Sequence, residues 1–177
     1  FHQGSASPIL DETLDMKDKP VVIFFPTGTL GDMLGWFHYA ERFRQLHRCQ
    51  LECVMGQEII ELLSAQYPEI TFSTKDNLQT VNPYASWYVG LFFKGDTTHQ
   101  PIDFRKVGFH RNAGYILGVD PRECPPRLKL DAERKIAEPY VCIAAQSTNQ
   151  AKYWNNGHGW AEVVAHLKSL GYRVLCI

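Results

Sequence analysis

Three short apolar runs, Val21–Phe25, Leu51–Met55 and Ile70–Ser73, are separated by two stretches with helical spacing. This alternation restricts the fold more than any other feature. The runs are rich in β-branched and aromatic residues, as buried strands are. Between them, Gly31–Leu46 places Leu34, Phe37, Phe43 and Leu46 near one stripe. Glu58–Gln66 is a second helical stretch, stopped before Pro68. A strand-helix-strand-helix-strand order implies a parallel sheet with right-handed crossovers, an α/β fold.

Further along, Ser86–Phe93 predicts another buried strand, and Asp103–Leu117 predicts a helix with Gly118 near its end. The stretch GVDPRECPPRLKLDAERK then combines three prolines with several charges, which marks a linker. Tyr140–Ala145 starts a new strand. Trp160–Leu170 predicts an amphipathic helix with Val163, Val164, Leu167 and Leu170 inward. Gly171 ends that helix, and Arg173–Ile177 begins another strand. The chain therefore divides into a connector (1–19), a first domain (20–120), a linker (121–138) and the start of a second α/β domain (139–177). The apolar run Val174–Ile177 reaches the end of the chain, so a longer protein is expected around it.

Bulk composition removes several function classes. Hydrophobic residues make up 45% and charged residues 21%, and the net charge is -1. No basic balance favours nucleic acid. The longest apolar run is far too short for a membrane span. A cytoplasmic protein is expected. The five cysteines, Cys49, Cys53, Cys124, Cys142 and Cys176, form no CxxC pair. They read as buried free thiols in a reducing compartment. The histidines show no metal-ligand spacing.

In parallel α/β sheets, ligands bind outside the carboxyl ends of the strands. Two unusual turns lie at such ends. The first is PTGTLGD, residues 26–32. It lacks the GK[ST] ending of a phosphate-binding P-loop and the third glycine of GxGxxG. Gly28 and Gly31 would let the backbone approach a ligand closely. Asp32 fits two roles: an acid at a helix start, or a general base at the mouth of a cleft. The residues alone leave both open. The second turn follows Tyr140–Ala145 and reads QSTNQAKYW, residues 146–154. Ser147, Thr148, Asn149 and Gln150 precede Lys152. A lysine among directional donors suits a diphosphate, although a solvated polar loop has the same composition. Tyr153 and Trp154 read as packing for the next helix.

FFPTGTLGDMLGW and AAQSTNQAKYWNN, taken together across the proline-rich linker, resemble the bacterial autotransporter heptosyltransferases. These are relatives of the ADP-heptose transferases of lipopolysaccharide core synthesis. The resemblance implies a GT-B fold, with two Rossmann-like domains and the sugar donor in the cleft between them. It implies that residues 20–120 form the catalytic, acceptor-side domain and that 139–177 begin the donor-binding domain. The implied reaction inverts configuration and transfers heptose from ADP-heptose (D-glycero-β-D-manno) to serine hydroxyls, or to threonines, on autotransporter adhesin repeats. The family's catalytic acid falls on Asp32 and its lysine on Lys152. Gly28, Thr29 and Gly31 would shape the sugar pocket. Ser147, Thr148 and Gln150 would complete the substrate-binding set. The resemblance also implies a large homo-oligomer and one structural iron per subunit, held by cysteines beyond residue 177. No metal ligand is assigned in this chain.

Two alternatives share the scaffold: a transferase acting on lipopolysaccharide core, and a non-catalytic sugar-nucleotide-binding module. The chain has no evident lysine or arginine cluster for a phosphorylated saccharide, which favours a protein acceptor. A nicotinamide-dependent oxidoreductase would need GxGxxG after a strand, and neither unit supplies it.

Overall fold

A computed structural model describes residues 13–92, 99–128, 133–147 and 149–177. The chain forms two compact units, divided between residues 130 and 131.

In the first unit, β1 (Pro20–Phe24), β2 (Gln50–Val54), β3 (Thr71–Ser73) and β4 (Ala85–Tyr88) form one sheet in the order β3-β2-β1-β4. All its pairings are parallel, as the sequence order requires. β2 and β3 extend from one side of β1, and β4 lies on the other. This reversal puts a topological switch point between β1 and β4, where doubly wound sheets open a ligand crevice.

α1 (Leu30–His47) and α2 (Gln57–Leu63) are the crossovers between β1, β2 and β3. Val21, Ile23, Leu51 and Cys53 on the sheet pack with Trp36, Phe37, Ala40 and Phe43 of α1 in one buried cluster. Phe37 meets Tyr67 edge-on at 4.7 Å, and Phe43 meets Trp87 at 4.8 Å. Fully burying a side chain such as Phe37, Tyr67 or Phe43 stabilises by about 1.5–3 kcal/mol, and Trp87 is only partly buried. Leu46 departs from the expected stripe and is 61% exposed. At 100° per residue it lies about 90° around the helix from the Trp36–Ala40–Phe43 line.

The expected helix over residues 103–117 is two helices, α3 (Phe104–Val107) and α4 (Arg111–Leu117). Gly108, at φ 95°, lies outside the helical region and breaks the run. The strand expected over 86–93 is shorter, ending at Tyr88; Phe93 is outside the described residues.

Two polar devices fix the loops. Glu52 is buried on β2, and its carboxylate accepts the backbone N–H groups of Gln79 and Thr80 at 2.9 and 2.7 Å. Burial pushes this carboxyl up, but the donated hydrogen bonds together outweigh it and hold it below the usual range. Residues 120–127 are strapped onto the helices. Arg42 donates to the Asp120 carbonyl at 2.7 Å, the Tyr39 hydroxyl to the Pro121 carbonyl at 2.9 Å, and the Arg127 N–H to the Tyr67 hydroxyl at 2.7 Å. Burial and the nearby Glu123 push the Tyr39 hydroxyl up to about 12, so it stays a donor at neutral pH.

The second unit pairs β5 (Tyr140–Ile143) with β6 (Arg173–Cys176) in parallel, joined through α5 (Gly159–Ser169). Val163, Val164 and Leu167 are half-buried on α5, as expected. Leu170 is 59% exposed, because the helix has ended and position 170 is its cap. The thiols also depart in part from expectation: Cys49 and Cys53 are buried, whereas Cys124, Cys142 and Cys176 are exposed. Cys142 alternates with the half-buried Val141 and Ile143, so it lies on the open face of the sheet. Cys176 is the last residue of its strand, and Cys124 is in the strap.

Candidate active site

The first turn is built around Asp32. Thr29 is the cap of α1, and Asp32 is the third helical residue. Asp32 Oδ2 accepts the Thr29 backbone N–H at 2.8 Å and the Thr29 hydroxyl at 2.9 Å. A first-turn carboxylate is also placed favourably against the positive end of the helix dipole. No described residue donates to Oδ1. The side chain is half-buried, so one oxygen is anchored and the other is left to accept.

Gly28 is at φ 144°, where a side chain is strained. A Cβ there would stand 3.0 Å from the Trp36 ring and 3.2 Å from Asp32 Cβ. A Cβ on Gly31 would meet nothing within 4 Å. Gly28 is therefore required by the protein itself, while Gly31 leaves bare backbone beside the carboxylate. The turn after β1 lies beside the turn after β4: a Cβ built on Gly90 would stand 3.7 Å from the Thr27 hydroxyl. Buried Asn112 holds that second turn by donating to the Gly90 carbonyl at 3.0 Å.

Two supports of this site were not read from the sequence. The Trp36 indole N–H donates to the Phe109 carbonyl at 2.9 Å, tying α1 to the loop made by the Gly108 break. The His110 imidazole lies on Gly35, occupying the place of a Cβ there, with ring atoms 2.3–2.6 Å from that position. Gly35 is three residues beyond Asp32 on the same helix. The LGW spelling after Asp32 was the only signal available for either contact.

The second turn is built on asparagines. Asn149 Oδ1 accepts the Ala151 N–H at 2.9 Å and opens a single 3-10 turn, Gln150–Lys152. Asn156 Oδ1 accepts the N–H groups of His158 and Gly159 at 3.1 and 3.0 Å, which satisfies the start of α5. Trp154 sits against Gly159 and meets Trp160 edge-on at 5.5 Å, so it packs as the sequence suggested. Ser147, Gln150 and Lys152 are exposed, and no described residue pairs with the Lys152 ammonium. Thr148 is outside the described residues. Among the described residues no group of histidines, cysteines and acids is arranged to hold a metal ion. The cysteines present do not fit an iron site.

The whole sequence is 71% identical to the autotransporter heptosyltransferase TibC of Escherichia coli O78:H11, over 177 residues. It is 70% identical to the autotransporter heptosyltransferase BAHTCr of Citrobacter rodentium. The likeness to the autotransporter heptosyltransferases holds along the entire chain. The chain spans 44% and 43% of the length of these two relatives. The crystal structure of TibC in complex with ADP-D-β-D-heptose, described as dodecameric and iron-containing, superposes with a TM-score of 0.90. The superposition covers 100% of this chain and 46% of that one. An autotransporter heptosyltransferase described as inactive, BimC of Burkholderia thailandensis, is 44% identical over 172 residues, covering 96% of this chain and 40% of BimC. No protein-family model matches the chain.

Proposed function

We propose that this chain supplies two parts of an inverting protein O-heptosyltransferase: the catalytic base and the diphosphate-binding loop. In this reading the whole protein has a GT-B fold and acts in the cytoplasm. Residues 20–120 carry the acceptor side, and residues 139–177 begin the donor side. The donor is ADP-heptose. The acceptor is a serine hydroxyl, or a threonine hydroxyl, on an autotransporter adhesin.

The observation that carries the proposal is the divided carboxylate of Asp32. Thr29 anchors Oδ2. That leaves Oδ1 to accept the proton of the incoming hydroxyl, a poor nucleophile without a base. The hydroxyl oxygen forms a bond to the anomeric carbon while the bond from that carbon to the β-phosphate oxygen breaks. The transition state is oxocarbenium-like, and configuration inverts in the single displacement. Two electrons leave with the ADP, whose terminal phosphate gains charge. Lys152, flanked by Ser147, Thr148 and Gln150, stabilises that charge. Gly31 leaves bare backbone for the sugar to approach, and Gly28 and Thr29 shape the turn beneath it.

The solved complex of TibC with ADP-D-β-D-heptose supports the donor, and the relatives' names support the acceptor. The dodecamer described for TibC supports a large homo-oligomer. The inactive relative BimC keeps the non-catalytic alternative in play. A direct test incubates a full-length protein carrying this chain with ADP-heptose and an adhesin repeat fragment. A mass gain of whole heptose units supports the transferase. ADP binding without any transfer supports the binding module, and transfer to lipopolysaccharide core alone supports the other acceptor.

A further inference from the structure

We propose that the cavity at the carboxyl ends of the first sheet is the seat of the acceptor polypeptide; this rests on the transferase reading above. The cavity has a volume of about 500 Å³, within the range of ligand pockets. Its walls come from all four strand ends. Phe24, Pro26 and Tyr88 stand on one side, and Met55, Gln57, Lys75 and Asp76 on the other. Such strand ends are where doubly wound sheets bind ligands.

Three observations select the occupant. The first is its distance from Asp32. Pro26 is part of the wall, and three Cα steps, at most about 11 Å, separate it from Thr29. Thr29 donates to the Asp32 carboxylate at 2.8 Å. A few extended residues, at about 3.3–3.6 Å each, reach from the cavity to the base.

The second is the aromatic wall. Phe24 and Tyr88 are register partners in the parallel pair β1–β4, and their rings stack at 4.8 Å and 13°. Tyr88 nevertheless remains 47% exposed. A half-exposed tyrosine stacked on a neighbouring ring is the kind of side chain that recognises polypeptide at interfaces.

The third is charge. Lys75 and Asp76 are adjacent and of opposite sign, and among the described residues no arginine lines the cavity. A phosphorylated saccharide would need a surplus of cations there. An uncharged polypeptide segment bearing a hydroxyl needs none. Specificity for the acceptor would then reside in Tyr88, Phe24 and Gln57, separate from the Asp32 chemistry.

The test uses a full-length protein carrying this chain, a synthetic adhesin-repeat peptide and ADP-heptose. Tyr88→Ala should raise the KM for the peptide about five- to tenfold. The KM for ADP-heptose and the acceptor-free hydrolysis of the donor should stay at wild-type values. Melting temperature serves as the folding control, and Tyr88→Phe should restore peptide KM, which a folding defect would not. An unchanged peptide KM in Tyr88→Ala, with wild-type enzyme active on the peptide, overturns this site and leaves the transferase reading standing. A larger loss from Lys75→Glu than from Tyr88→Ala also overturns it, in favour of an anionic acceptor. Wild-type enzyme that hydrolyses donor but never modifies the peptide defeats the protein-acceptor reading, and this site with it.

Discussion

Thr29 donates both its backbone N–H and its hydroxyl to one oxygen of Asp32, at 2.8 and 2.9 Å. The helix-start role and the proposed base role of Asp32 therefore make different demands on one carboxylate. Capping uses Oδ2, and proton acceptance would use Oδ1. The cap also fixes the orientation of the group, which a positioned base requires.

Thr29→Val keeps the backbone donor and removes the hydroxyl. Stability should fall by about 1 kcal/mol. The kcat should fall with it, while donor affinity holds. Thr29→Ser should restore both. Thermal melting and steady-state kinetics measure the two effects separately.

The two glycines of the turn should behave oppositely. Gly28→Ala must place a Cβ at φ 144° against Trp36, at a cost of about 1–3 kcal/mol. Gly31→Ala meets open space inside a helix, so stability should hold or rise by up to about 1 kcal/mol. Its transfer rate should nevertheless drop, because in the proposed site the new methyl would stand where the sugar approaches. Equal rates for Gly31→Ala and wild type would show that the sugar does not pass this backbone.

Gly35→Ala sets a methyl in the space of the His110 ring. Overpacking of this kind costs about 1–3 kcal/mol. Combining it with His110→Ala should recover most of that loss. A double-mutant cycle by denaturant unfolding gives the coupling directly.

Glu52 predicts a pH dependence of stability. Its folded pKa lies below the unfolded value, so its stabilisation is fully present above the ordinary glutamate range. That stabilisation is lost as pH falls through the lowered folded pKa. Glu52→Ala removes the acceptor of the Gln79 and Thr80 backbone N–H groups; Gln79 is exposed and Thr80 half-buried, so the cost should be about 0.5–1.5 kcal/mol for each lost hydrogen bond. The variant should also show a flatter stability profile below pH 5 than wild type, measured by urea midpoints.

The alternation of strands and helices, the parallel sheet and the two turns were legible because the β-branched runs and the glycines act locally. Val21–Phe25 could be only a buried strand, and Gly28 sits where only glycine fits. Leu46 was misplaced because one stripe was expected on α1, whereas the helix buries residues on several sides, among them Trp36, Tyr39 and His38. The break at Gly108 was missed because a single glycine within a helical pattern is tolerated and does not by itself mark an interruption. The Asp32 contacts followed from spacing, since Thr29 and Asp32 are three residues apart. The Trp36–Phe109 and Gly35–His110 contacts join residues more than seventy positions apart, and no periodicity in one sequence encodes such a pairing.

The measurement that bears most directly on the central claim is the Asp32→Asn variant of a full-length protein carrying this chain. Asparagine keeps the size and an acceptor oxygen for Thr29, but it cannot take a proton from the acceptor. Intact mass should show loss of heptose transfer to the adhesin fragment, with calorimetric affinity for ADP-heptose near wild type. Lys152→Ala should lose transfer and weaken donor affinity as well. Transfer by Asp32→Asn at the wild-type rate would contradict the account, leaving Asp32 as a helix cap and placing the base elsewhere.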